Sequence, residues 1–191
     1  MSRKPRVLSQ SGYYHFINRG INKKKIFHRK EDYSFYRGLL IEYSRQLDLK
    51  IVHYCVLSNH SHLLVHASEL KSLSLFGHFI QRRYAYYYSK VYHWAEQLFK
   101  KPFLSIPIET DAYLLECARY IERNPLNAHL IKDLKEYAHS SYNHYAHGKE
   151  DALLTPNPLY VNLGRTLEER QAAYQFYVCQ PRQKEEQMDP F

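Results

Sequence analysis

The stretch from Ile51 to His66 constrains the fold more than any other part of the chain. Ile51-Val52-His53-Tyr54-Cys55-Val56-Leu57 is a nearly continuous apolar run, as a buried strand requires. Ser58-Asn59 can close a tight turn, because asparagine tolerates positive φ. His60 to His66 then returns as a second strand. Side chains alternate along it, so Leu63 and Val65 share one face while His60, His62, Leu64 and His66 share the other.

The flanking segments supply partners for this hairpin. Tyr13-Tyr14-His15-Phe16-Ile17 reads as a strand by aromatic and β-branched content, and Asn18-Arg19-Gly20 ends it. Residues 32–47 read as a helix with Asp32 as N-cap and Tyr36, Leu39, Leu40, Tyr43 and Leu47 on one apolar face. Ser72 is the expected cap of a long helix reaching Tyr92, with Phe76, Phe79, Ile80, Tyr84, Tyr87 and Val91 inward. Phe103 to Glu109 reads as an edge strand, weakened by Pro107. A helix capped by Thr110 or Asp111 runs to Asn124, where Pro125 is expected to end it. A short helical segment over 127–137, then Ser140-Ser141-Tyr142, a turn at Thr155-Pro156-Asn157-Pro158, and a helix opened by the capping box Thr166-Leu167-Glu168-Glu169 follow. The tail after Gln180 is polar and expected to fray.

The order is β-α-β-β-α-β with C-terminal helices. That is an α+β, ferredoxin-like antiparallel sheet with helices on one face. We expect residues 1–148 to form the main domain and 149–191 a C-terminal extension with one helix and a polar tail.

Charge narrows the partner. The 191 residues carry a formal charge of +8, with 19 tyrosines among them. A basic surface attracts polyanions, and tyrosine can stack on bases. No apolar run reaches the roughly 20 residues of a membrane span, and no signal core follows the basic start. No membrane partner is expected, and a cytoplasmic location is. Three widely spaced cysteines, Cys55, Cys117 and Cys179, exclude a disulfide framework and read as small core residues. Lys23-Lys24-Lys25 forms a basic loop. Arg82 and Arg83 stand beside Tyr84, Tyr86, Tyr87 and Tyr88, an interleaving that suits a nucleic-acid groove as well as an ordinary helix surface.

His60 and His62, at i and i+2 on a strand, can converge on one ion. Twelve histidines in 191 residues make one such pair close to a chance expectation, so the pair alone proves little. Tyr120 and Asn124 lie one turn apart on one helix flank. Tyrosine offers a phenolic nucleophile, asparagine a hard carbonyl ligand. If that helix crosses the face bearing His60 and His62, four groups meet. Two other readings stand beside catalysis: a ferredoxin-like module that binds single strands by stacking, and a metalloprotein whose histidines only stabilise the fold.

Three ordered strings resemble the HUH-type single-strand (Y1) transposases, closest to their REP-associated tyrosine branch. They are Tyr14-His15-Phe16-Ile17-Asn18-Arg19-Gly20, Tyr54 to Val65 around His60-Ser61-His62, and Cys117 to Ala128 around Tyr120 and Asn124, with Ser140-Ser141-Tyr142 downstream. Ser61 replaces a usually apolar residue between the histidines, Ser58 stands where proline is usual, and the glycine usual near 95–97 is absent. The resemblance implies a DNA nicking and strand-transfer enzyme. Its ion would be Mg²⁺ or Mn²⁺, held by His60, His62 and Asn124, although two imidazoles would also accept Zn²⁺. Tyr120 would attack to give a 5′-phosphotyrosine linkage. The substrate would be single-stranded DNA next to a hairpin, with Arg19, Lys23, Lys24, Lys25, Arg82 and Arg83 as candidate DNA contacts. The site could form within one chain or across a homodimer.

Overall fold

A computed structural model describes residues 6–100 and 102–180. The expected frayed tail lies outside the described residues. Four strands, β1 (Tyr13–Arg19), β2 (Lys50–Val56), β3 (His60–His66) and β4 (Leu104–Ile108), form one antiparallel sheet in the order β2-β3-β1-β4. This is the ferredoxin-like order, and β4 is the expected edge. Helices α1 (Lys30–Gln46) and α2 (Leu70–Tyr92) connect the strands. They cover the face carrying Tyr14, Phe16, Tyr54, Val56, Leu63 and Val65, and bury Tyr36, Leu40, Phe76, Ile80 and Tyr84 against it. Helix α3 (Asp111–Asn127) covers the other face, packing Leu114, Cys117, Ala118 and Ile121 on Cys55 and Leu64. The alternation of β3 is the cause: consecutive residues must serve opposite layers.

Helices α4 (Tyr142–His147) and α5 (Leu167–Cys179) form a third cluster beside α3, around Leu134, Tyr142, Tyr145, Tyr174 and Val178. The free edge of β2 is not left bare. Val56 N–H donates to His139 O (2.9 Å), Ser141 N–H to Tyr54 O (3.0 Å) and Thr155 N–H to Ile51 O (2.8 Å). Covering an edge in this way prevents pairing with another chain.

Several boundaries differ from the sequence expectation. α1 starts at Lys30, so Asp32 is its third residue rather than its cap; the carboxylate accepts the His28 and Arg29 N–H groups (2.8 and 3.2 Å). α2 starts at Leu70 after Glu69, two residues before Ser72. Asn127 still belongs to α3, and residues 128–137 form turns with one 3-10 segment, Leu134–Glu136, because Asp133 caps Lys135 locally (2.9 Å). Pro125 lies inside α3 rather than ending it. The Thr166–Glu169 box is as expected, with Glu169 N–H donating to Thr166 Oγ1 at 3.2 Å. Cys55 and Cys117 are buried; Cys179 is exposed and free.

Candidate active site

β3 presents His60 and His62 to the α3 face. Their rings stand 4.8 Å apart at 81°. The Tyr120 ring meets His62 edge-on, with centroids 5.6 Å apart. Thus the fold brings together the histidine pair and the tyrosine. Asn124 follows one turn later on the same flank of α3.

His15, which sequence reasoning missed, completes the cluster. It stands opposite Leu64 in register, and Ile17 stands opposite His62. His15 is therefore a diagonal neighbour of His62, within reach across the strands. His15 Nε2 lies 2.9 Å from His62 Nδ1, and the His15 ring lies 5.8 Å from Tyr120. Only the strand register could have revealed this, and the sequence does not state a register.

The electrostatics keep these imidazoles neutral. Burial pushes His15 down to about 3. Burial, then the Arg19 charge, brings His60 down to about 4. Burial, followed by His15, His60 and Arg19, holds His62 well below the ordinary histidine value. Neutral imidazole is the metal-ligating form.

Proton placement follows from the partners. His60 Nδ1 lies 2.5 Å from Asn59 Oδ1, an acceptor, so Nδ1 carries the proton and Nε2 keeps its lone pair. His62 Nε2 is buried and finds no hydrogen-bond partner among the described residues. A buried polar atom without a partner is costly, and a cation bound there would satisfy it.

The third candidate ligand is oriented by a helix defect. Pro125 has no N–H, so the Ile121 carbonyl lacks its usual helical donor. Asn124 Nδ2 donates to Tyr120 O (2.9 Å) and reaches toward Ile121 O (3.4 Å), replacing that donor. This turns the Asn124 Oδ1 away from the helix backbone. Among the described residues, no group of three or more His, Cys, Asp or Glu side chains is arranged to hold a metal. The set here is two imidazoles and an amide oxygen, and the unpartnered His62 nitrogen fits an ion.

The expected DNA contacts divide into two places. Arg19 ends β1 opposite His60. With Gly20, Ile21, Asn22, Lys23 and Lys100 it lines a cleft of about 280 Å³. Lys100 was not foreseen. Lys23 and Lys25 are exposed, whereas the Lys24 ammonium packs 3.5 Å over the Trp94 ring. Arg82 and Arg83 are exposed on α2, on the opposite side of the sheet from His62. There they line a groove of about 460 Å³ with Tyr43, Phe79 and Tyr86. The 23 residues of α2 include Lys71, Arg82, Arg83 and Lys90 and no acidic residue.

The family model "Transposase IS200 like" matches residues 9–124, which contain the first two strings singled out above and the third as far as Asn124. The chain belongs to the IS200-like transposase family. Its activity class is accordingly that of a transposase that nicks and processes single-stranded DNA. A solved REP-associated tyrosine transposase bound to a REP hairpin is similar, with a TM-score of 0.62 at 18% identity; 82% of this chain and 93% of that chain are covered. This match bears out the fold. A candidate transposase from Deinococcus radiodurans R1 is 20% identical over 64% of this chain and 97% of its own, with a TM-score of 0.44. No curated protein matches the chain. Among the described residues, no helix is long and apolar enough to cross a membrane.

Proposed function

We propose that this chain cleaves and rejoins single-stranded DNA beside a hairpin, through a covalent 5′-phosphotyrosine at Tyr120 and with a divalent ion. The observation that carries the reading is the unpartnered His62 Nε2 beside the Tyr120 ring. His60 Nε2, His62 Nε2 and Asn124 Oδ1 would hold the ion, Mg²⁺ or Mn²⁺, and Asn124 adds the hard oxygen that such ions prefer. When bound, the ion supplies polarisation of the phosphate and neutralisation of its developing charge.

The protein groups do the rest. The Tyr120 phenolic oxygen attacks phosphorus, forming an O–P bond and breaking the P–O3′ bond. The phenolic proton is lost and the departing 3′-oxygen gains one, giving a free 3′-hydroxyl. That hydroxyl reverses the reaction on another strand, and the bond energy is conserved in the phosphotyrosine. His15 holds His62 in its metal-facing tautomer by accepting the Nδ1 proton. The cleft of Arg19, Lys23 and Lys100 offers cations to the strand next to His60. Lys24, Lys25, Arg82 and Arg83 extend the basic surface toward hairpin phosphates. A hairpin partner is also suggested by the REP hairpin held by the similar solved transposase.

The test is a denaturing gel with a labelled hairpin oligonucleotide. A covalent adduct should form with Mn²⁺ or Mg²⁺, and be absent in Tyr120→Phe and in His62→Ala. Wild type that binds the oligonucleotide but forms no adduct with any divalent ion would instead be a non-catalytic binding module.

A further inference from the structure

The flank of α3 turned away from the site carries a second buried polar cluster. Glu122 lies about 160–200° around the helix from Tyr120 and Asn124, at 100° per residue. Its side chain is wholly buried. Three donors from three separate elements satisfy it. His53 Nδ1 and Ser141 Oγ meet Oε1 at 2.8 and 2.6 Å; the Tyr174 hydroxyl meets Oε2 at 2.8 Å.

The backbone is arranged to make this possible. Ile51 pairs with Val65 and His53 with Leu64, so Val52 is an extra residue in β2. Such a bulge lets two consecutive side chains share one face. Val52 packs under α3, and His53 reaches Glu122 from that same side. The Val52 carbonyl accepts the Tyr145 hydroxyl (2.8 Å). His53 has a defined tautomer. Asn157 Oδ1 accepts the Leu159 N–H (2.9 Å), which turns Nδ2 toward His53 Nε2 (2.9 Å). Nε2 therefore accepts and Nδ1–H donates to Glu122. Asn157 and Tyr174 both lie beyond residue 149, in the stretch expected to be an appended extension. Two arginines of α3 also bind that stretch: Arg119 Nε donates to Tyr177 O (3.1 Å) and Arg123 Nη1 to Val178 O (2.9 Å).

A buried polar cluster adds little net stability compared with an apolar filling of the same shape, so stability alone is a weak reason for it. What it supplies is direction. Apolar packing on the sheet tolerates a small rotation or slide of α3; three hydrogen bonds from three elements do not. Rotation matters here because Tyr120 and Asn124 ride on α3 while His60 and His62 ride on β3. A displacement near 1 Å at such a site costs on the order of 100-fold in rate.

We propose that Glu122 is a positioning residue that sets the rotation of α3, with His53, Ser141, Asn157 and Tyr174 as its frame, so that the stretch from 149 to 180 is part of the catalytic apparatus. This rests on the tyrosine chemistry proposed above. The test compares wild type with Tyr174→Phe, Glu122→Gln and Glu122→Ala, which conserve shape to decreasing degrees. Single-turnover adduct formation should fall about 10–100-fold in Tyr174→Phe and Glu122→Ala, with Glu122→Gln between them and wild type. Affinity for an uncleavable oligonucleotide should stay within about twofold. Amide hydrogen exchange should quicken in α3 and stay unchanged in α1 and α2. Wild-type rates in Tyr174→Phe and Glu122→Ala overturn the proposal, as does a loss of DNA affinity in parallel with rate. If wild type forms no adduct, the tyrosine chemistry is wrong, while α3 exchange still decides the positioning: faster exchange supports it and unchanged exchange overturns it.

Discussion

His15 and His62 meet across the β1–β3 pair, Nε2 to Nδ1 at 2.9 Å, both buried. A metal-facing imidazole usually donates its other N–H to a second group, which fixes its tautomer and orientation. Here that group is another imidazole, kept neutral by burial. His15→Ala should therefore weaken Mn²⁺ binding about 10–100-fold, read by titration with an electron paramagnetic signal. Oligonucleotide affinity without metal should be retained. Unchanged Mn²⁺ affinity would remove His15 from the site.

Pro125 is expected to act through Asn124. Pro125→Ala restores an N–H that competes for the Ile121 carbonyl, and it favours the helix by up to about 3 kcal/mol. The Asn124 amide is then less firmly held. The variant should melt higher yet bind Mn²⁺ more weakly than wild type. A variant that gains stability and loses no metal affinity would show that the proline has no part in orienting the ligand.

These two cases also mark what the chain disclosed before folding was known. β3 was legible to the residue, because it follows a turn signal directly and its histidines fall only at alternate positions, 60, 62 and 66. The α5 capping box was legible because its two bonds are local. The facing of Tyr120 and His62 followed from family motifs and periodicity. His15, Lys100 and the Glu122 cluster were not legible. Their contacts span 47 residues for His15–His62 and 69 for His53–Glu122, and each depends on register or on a bulge. Pro125 misled for a related reason: the rule that proline ends a helix assumes no side chain replaces the missing donor, and Asn124 does.

Asp32 predicts the acid limb of stability. Burial pushes its carboxyl up, but hydrogen bonds from Tyr92, the His28 N–H, Tyr87 and the Arg29 N–H outweigh burial and hold it below the usual value. A depressed folded value contributes stability that is present above about pH 4 and is lost as pH falls through the folded value. Asp32→Asn should cost about 1–3 kcal/mol near neutrality. It should also shrink the loss of stability below about pH 4, measured by urea titration at a series of pH values. An acid limb as steep as wild type would refute this role.

Gly77 predicts a packing limit. A Cβ there would collide with the Phe103 ring, which packs against Phe16 with centroids 4.6 Å apart. Gly77→Ala gains up to about 1 kcal/mol in helix propensity, but forcing the ring aside costs about 1–3 kcal/mol. The net effect should be destabilising in chemical denaturation. A stabilised variant would mean that Phe103 moves freely.

The two basic regions make the last prediction. Lys23 and Lys100 line the cleft beside His60, and Arg82 and Arg83 lie on the other layer. Each phosphate contact with single-stranded DNA contributes about 0.7 to the slope of log affinity against log salt. If one hairpin substrate reaches both regions, Lys23→Ala with Lys100→Ala should lower the slope by about 1.4, and Arg82→Ala with Arg83→Ala by a similar amount. The two losses should add in the combined variant, because the regions lie on opposite sides of the sheet. The readout is fluorescence anisotropy of a hairpin oligonucleotide with a single-stranded flank, from low to moderate salt. A slope lowered only by the cleft substitutions would confine the DNA to the His60 end of the sheet. A slope lowered only by the α2 substitutions would separate binding from the proposed chemistry altogether, because that chemistry places the phosphate to be cleaved beside Tyr120.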